Sequence, residues 1–269
     1  MKKGLFLSIV LLSGCLSSAA QTGLQASAMK YDESVTYDVY FKWGVIMPRA
    51  GEVVLSYYKD RSVSNASSRY RLTFKTSKFF DNFFQMRDTL DTYYDDDNRL
   101  IYSRKGSFEG DYYTVDELTF NYSDAYTKIH SLRYTPKRVK IDTTMITTDE
   151  ISDLLGTLYY LRGIDRFKLS REEGLPITVV IGRSLVKTQF RYQNQSVVER
   201  SDAKYNTRYF KIDISDDAFE STKTSAEVWV SDDDNFLPIK IRSKLKIGYA
   251  EIHFKHATGL AHPMKCKSE

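Results

Sequence analysis

The chain has 269 residues, 39 Lys and Arg against 35 Asp and Glu for a formal net charge of +4, and two cysteines. So even a balance argues against nucleic acid as a partner and supplies no strong overall pull toward anionic surfaces. Twenty tyrosines and fifteen phenylalanines, beside many Val, Ile and Thr, favour strands over helices.

The N-terminus reads MKKGLFLSIVLLSGCLSSAAQ. Lys2 and Lys3, the apolar Leu5–Leu12 and the small residues beyond them follow the order of a secretory signal peptide. The apolar run is far shorter than the ~20 residues of a membrane-spanning helix. Two processing routes stay open. Ser18-Ala19-Ala20 suits cleavage before Gln21, which the continuation of the apolar run through Leu16 favours. Leu12-Ser13-Gly14-Cys15 resembles a lipobox, in which Cys15 becomes a lipid-modified first residue. Either route exports the protein to the periplasm or the outer membrane. Residues 1–20 are set aside as signal, leaving 21–269 as one domain with no linker. Cys266 then has no partner for an intrachain disulfide, so an ordinary core must hold the fold, which this length permits.

Alternation begins with Val35, Tyr37, Val39 and Phe41 on one parity, and "GVIMPRAG" ends that strand. Further strands are expected at 52–58, 69–75, 86–94, 100–108, 112–122 and 128–134. In the second half they fall at 177–181, 185–192, 207–214, 226–231, 238–247 and 250–255. Short strands with polar turns predict a mainly β fold: a curved antiparallel sheet forming an incomplete or closed barrel. One amphipathic helix is expected over about 148–162, packed on the sheet. Ile151, Leu154, Leu155, Leu158 and Tyr159 form its apolar stripe, Thr147 and Glu150 a capping box, and Gly163 its stop.

In "KFFDNFFQM", Phe79, Phe80, Phe83 and Phe84 have the spacing of a turn or two of helix. They read as a plug at one end of a barrel, or as a mobile lid or aromatic lip contacting lipid or another hydrophobic ligand. Asp-Asp-Asn preceded by Asp occurs twice, at 95–98 and 232–235. Oxygen ligands suit calcium, but the EF-hand glycine and closing glutamate are missing, so both stretches read as acidic hairpin tips in water. Their alignment, strand–turn–leucine–strand with Asn98 against Asn235, hints at two related halves. Lys240, Arg242, Lys244 and Lys246 share a strand face, either a solvated outer face or a stripe facing anionic headgroups or acidic polysaccharide. There is no HExxH, Cys/His metal spacing, P-loop or dinucleotide fingerprint, and "GRSLV" at 182–186 lacks the final glycine of a nucleophile elbow. No cofactor, metal or catalytic residue is assigned.

The stretches "YDVYFKWGVIMPRAGEVVLSYY", "RDTLDTYYDDDNRLIYSRK", "DLLGTLYYLR" and "WVSDDDNFLPIKI" occur in the order seen in a family of exported bacterial proteins known as a domain of unknown function, in Bacteroidetes and proteobacteria. The chain resembles that family over nearly its whole mature length. The resemblance implies no catalytic residues. The hairpin at 226–254 is also similar to that of outer-membrane lipoprotein carriers, whose incomplete barrels and helix hold acyl chains. The expected function is a non-enzymatic envelope protein that binds a lipid, glycolipid or other hydrophobic ligand. The alternatives are an interaction or scaffold module with a filled core, and a glycan or peptidoglycan hydrolase, which needs two carboxylates facing each other at roughly 5–9.5 Å.

Overall fold

A computed structural model describes residues 29–42, 44–164, 174–200, 203–215, 223–244 and 248–268. Residues 1–20 expected to be a signal, Cys15 among them, and Lys246 lie outside the described residues. Eight strands come first: β1 (Glu33–Lys42), β2 (Arg49–Lys59), β3 (Ser68–Thr76), β4 (Met86–Tyr94), β5 (Leu100–Glu109), β6 (Tyr112–Tyr122), β7 (Thr127–Thr135) and β8 (Arg138–Thr147). A four-residue helix α1 (Lys78–Asp81) sits between β3 and β4. The short β9 (Ile151–Asp153) leads into α2 (Leu154–Gly163). Then follow β10 (Leu175–Ile181), β11 (Ser184–Glu199), β12 (Lys204–Ser215), β13 (Lys223–Ser231), β14 (Pro238–Lys244), β15 (Tyr249–Thr258) and the two-residue β16 (Lys267–Ser268).

All strands belong to one sheet, in the order β8-β7-β6-β5-β4-β3-β2-β1-β15-β14-β13-β12-β11-β10-β9, with β16 beside β12. The chain meanders outward from β1 to one edge, crosses to the other edge at β9, and meanders back to β15, which pairs with β1. The barrel-like sheet is not closed: no ladder joins the edges β8 and β9. Only residues 148–150 separate those edges in the chain, so they lie close at the rim where β8 ends. Antiparallel meandering sorts the connections between two rims. The first rim carries the β1–β2, β3–β4, β5–β6, β7–β8, β10–β11 and β14–β15 connections. The second carries β2–β3, β4–β5, β6–β7, β11–β12 and β13–β14.

Period-two alternation places Val35 and Tyr37 of β1, Val53, Leu55 and Tyr57 of β2, and Tyr70 of β3 on the buried face. Tyr31, Tyr57, Tyr70 and Tyr159 form a stacked column with centroids 4.8, 4.6 and 3.9 Å apart. The last ring belongs to α2, and its hydroxyl donates to the Ser56 carbonyl. The helix is therefore held against the concave side of the sheet by aromatic stacking, each such pair worth about 0.5–1.5 kcal/mol beyond area burial.

The helix starts later than its periodicity predicts. Thr147 closes β8 and its hydroxyl accepts from the Asp149 amide, while Glu150 accepts from the Tyr160 hydroxyl, so neither caps the helix. Residues 151–153 instead pair in parallel with β10, the single parallel ladder among the described strands. Asp153 becomes the N-cap, accepting from the Gly156 amide at 2.6 Å and from Thr92 at 2.5 Å. Sheet pairing satisfies the backbone of Ile151 and Ser152 at no cost in helix nucleation, which is the physical reason for the shift. A Cβ at Gly156 would collide with the Tyr94 hydroxyl and the capping carboxylate, so glycine permits this close approach. Gly163 is the last helical residue and Ile164 follows in extended conformation, with no left-handed stop. The strand β8 and the two-residue β16 were not expected from the sequence.

Candidate functional site

The inner sides of β10–β14 and the outer flank of α2 enclose a chamber of about 250 Å³. Strand alternation builds its walls: Val186, Thr188 and Phe190 on β11, Ile212 and Ile214 on β12, and Ala226, Val228 and Val230 on β13 share the inward parity. From α2 come Leu154, Thr157, Leu158 and Leu161. The threonine hydroxyls on these walls are already engaged, Thr188 donating to the Ile177 carbonyl and Thr157 to that of Asp153. A ligand here meets shape and apolar surface and finds few groups to hydrogen-bond. Phe236 and Val230 are buried at the second rim, whereas Ile181 and Leu154 are 48% and 57% exposed. The chamber is thus stopped at the β13–β14 turn and opens past Ile181 and Leu154.

At its stopped end, Arg162 of α2 is buried and forms a two-pronged ion pair with buried Glu33 of β1, at 2.5 and 2.9 Å. Its Nε donates to the Asn235 carbonyl at 3.0 Å. Burial works against the Arg162 charge, yet Glu33 keeps its pKa above the ordinary arginine value. The neighbouring Tyr37 phenol is pushed up by burial, and its hydroxyl has no hydrogen-bond partner among the described residues. This pair ties α2, β1 and the β13–β14 turn together across 129 residues of sequence.

Beside the mouth, a cleft of about 140 Å³ lined by both charged and apolar side chains crosses the open seam of the sheet. Arg104, Lys105, Asp116 and Arg133 line it from β5–β7, and Asp153, Val180 and Gly182 from the other side. Leu154 and Ile181 border both spaces, so cleft and chamber adjoin. Asp116 holds Arg133 at 2.5 Å, Asp91 holds Arg71 at 2.7 Å, and Arg104 lies 3.4 Å from Glu117. Burial raises the Asp153 carboxyl above its ordinary value, against the hydrogen bonds from Thr92 and Gly156.

The residues singled out in the sequence are distributed differently. The first acidic turn is a solvated tip: Asn98 is left-handed at φ 57°, and Asp95 accepts from the amides of Asp97 and Arg99. The second is a correction to the expectation of a tip in water. Asp233 and Asn235 are buried, and the left-handed residue is Phe236 at φ 48°. Asp233 accepts from Ser231, from the Asn235 amide and from the Cys266 amide. Asn235 clasps the backbone of His262 and Pro263. The C-terminal segment folding over this turn removes it from solvent, and burial pushes the Cys266 thiol up to about 12. Among the described residues, no group of three or more His, Cys, Asp or Glu is placed to hold a metal.

Lys240 and Arg242 do share one outer face, over Trp229, but carboxylates meet their charge. Glu251 lies 3.2 Å from Lys240 and 2.8 Å from Arg242, and Glu227 lies 3.4 Å from Arg242. Lys244 is exposed at the strand end. Burial alone would raise the Glu251 carboxyl, yet Arg242, His253 and Lys240 hold it down at about 2. A carboxylate depressed in the folded state stabilises the fold above its unfolded value near 4.5, and that contribution is lost as pH falls toward 2. Acid unfolding monitored by circular dichroism is therefore expected to flatten between pH 4.5 and 2 in Glu251→Gln relative to wild type.

Phe79, Phe80, Phe83 and Phe84 do not plug the interior. Phe79, Phe83 and Phe84 are 61%, 75% and 49% exposed on the first rim. The base of their loop is fixed: Arg87 grips Asp81 at 2.7 Å, Thr76 donates to Asp81, and together they hold that carboxyl at about 2.

A family model described as "Protein of unknown function (DUF3108)" matches residues 36–255. A solved structure described as a beta-barrel-like protein of the domain of unknown function DUF1849, from Brucella abortus, superposes with a TM-score of 0.56 at 11% identity. The match covers 86% of this chain and 98% of that one, and at such identity it speaks for the fold. No curated protein matches the chain.

Proposed function

We propose that this chain, which belongs to the DUF3108 family, is an exported envelope protein without catalysis of its own that holds the apolar chain of an amphiphile. The observation that carries this reading is the chamber between α2 and β10–β14, walled by aliphatic and phenylalanine side chains and open past Ile181. At about 250 Å³ it falls below the roughly 300–1,000 Å³ typical of pockets for drug-sized ligands, which suits one slender chain better than a bulky ring system. The adjoining cleft, where Arg104, Lys105 and Arg133 stand beside Asp91, Asp116 and Asp153, supports the reading as a charged surround for an emerging polar head. Similarity of the 226–254 hairpin to that of lipoprotein carriers supports the same reading, as does the export signal read in residues 1–20. In this view, the tyrosine-packed half of the sheet is scaffold, and the β10–β14 half is the binding half.

Native mass spectrometry of protein purified from its own envelope tests this directly. A bound species matching a lipid or glycolipid mass, released on denaturation, is expected. A single unliganded mass, together with no uptake of a fluorescent fatty acid by the purified chain, would overturn the proposal.

A further inference from the structure

We infer that the first rim is a membrane-docking surface: the β1–β2 and β3–β4 loops insert their apolar tips into the headgroup–acyl boundary of an anionic bilayer. Val45, Ile46 and Met47 are 101%, 56% and 36% exposed on one loop, beside Phe79, Phe83 and Phe84 on the next. The two loops are held as one unit. The Ser77 amide donates to the Ala50 carbonyl at 2.8 Å and its hydroxyl to that of Arg49 at 3.1 Å. Gly110 donates to Gln85, joining the β5–β6 turn to the same group. Tyr112 and Tyr249, 46% and 41% exposed, extend the rim on its flanks.

Depth and charge select the occupant. Apolar side chains occupy the loop tips, while Lys42, Arg49 and Lys75 stand at the strand ends behind them and Lys78 opens α1 directly before Phe79. Arg49 and Lys75 pair with Asp38 and Glu52, but Lys42 and Lys78 are exposed and make no ion pair among the described residues. Apolar tips with a cationic collar one layer back match the order of acyl chains and anionic headgroups across a bilayer interface. A fully exposed Val45 stands clear of every neighbour, so burying it on all sides takes a yielding medium or a dedicated socket. Docking by this rim would also turn the chamber's mouth at Ile181, at the end of β10, toward the bilayer.

Co-sedimentation with phosphatidylcholine vesicles, with and without phosphatidylglycerol, tests the assignment. All arms use the same full chain, so residues 1–20 contribute equally to each. Phe79→Glu with Phe83→Glu is expected to weaken partitioning by at least about a hundredfold, since each lost phenylalanine insertion is worth about tenfold or more. Lys42→Glu with Lys78→Glu should abolish the preference for phosphatidylglycerol and its salt sensitivity. In Phe83→Trp, added fluorescence should be quenched by bromine-labelled acyl chains. All these positions are exposed, so thermal midpoints should match wild type. Equal sedimentation of wild type and the Phe79→Glu/Phe83→Glu variant overturns the inference. So does a self-associating chain that this variant makes monomeric, since the surface would then belong to a second copy. Vesicle binding does not depend on the chamber: a chain with Val228→Trp should dock normally even if the proposed ligand reading fails.

Discussion

Arg162→Met is expected to destabilise the fold by about 3–5 kcal/mol, because it leaves the Glu33 carboxylate buried and without its counter-charge. At about 2–4 °C per kcal/mol for a domain of this length, the thermal midpoint should fall by roughly 10 °C. Glu33→Leu alone strands the guanidinium in the same way. The informative variant is the double one, Arg162→Met with Glu33→Leu, which removes both charges and fills the space with apolar volume. It should recover most of the loss, since a buried pair replaced as a unit is often neutral or better. Recovery should be incomplete: the Asn235 carbonyl also loses the Arg162 Nε that now bonds it. Chemical denaturation of the four chains measures the coupling energy directly. Additive losses in the two single variants would show that the pair does not act as a unit.

Val228→Trp should abolish amphiphile retention while leaving the fold intact. Val228 is buried on β13 between Phe210 and Ile241 of its neighbours, and its side chain faces the chamber. In a filled core such an enlargement costs about 1–3 kcal/mol through forced rotamers. Here an indole has an open volume to enter, so the thermal midpoint should shift by only a few degrees. The bound species expected in wild type by native mass spectrometry should be absent, and affinity for a fluorescent fatty acid should drop by at least about tenfold, as expected when a ligand loses about 1.4 kcal/mol or more of apolar contact. Undiminished retention in this variant would place the ligand elsewhere in the molecule. The two substitutions are expected to separate scaffold from site, Arg162 changing global stability and Val228 the occupancy of the proposed site.

Much of the fold is legible in the residues themselves. Parity alone put Val35 and Tyr37 inside, and β4 and β6 run over the very residues that alternation marks, because the side chain of a strand has to choose a face. The strand β8 does alternate, with Ile141, Thr143, Met145 and Thr147 more buried than Arg138, Lys140, Asp142 and Thr144, so its period-two signal is present in the sequence although no strand was expected there. The helix was visible as a stripe, but its start was decided by something a local window does not contain: the Thr178–Val180 segment of β10, which pairs with residues 151–153. In the same way, identical acidic quartets end in different surroundings. Asp95–Asn98 stays in water, whereas Asp232–Asn235 is roofed by residues 262–266.

The candidate site divides along the same line. The inward parity of Val228, Ile212 and Phe190 is a property of their own strands, and so is the apolar character of every wall. Whether those inward side chains meet and fill the space depends on where α2 lies. That is set by the Tyr159–Tyr70 stack and the Arg162–Glu33 pair, contacts between residues 89 and 129 positions apart that no periodicity encodes. The sequence by itself determined a mainly β chain with inward and outward faces and one amphipathic helix. Only the tertiary structure decided that the sheet stays open at β8 and β9, that α2 fills one half of its concave side, and that the other half is left hollow.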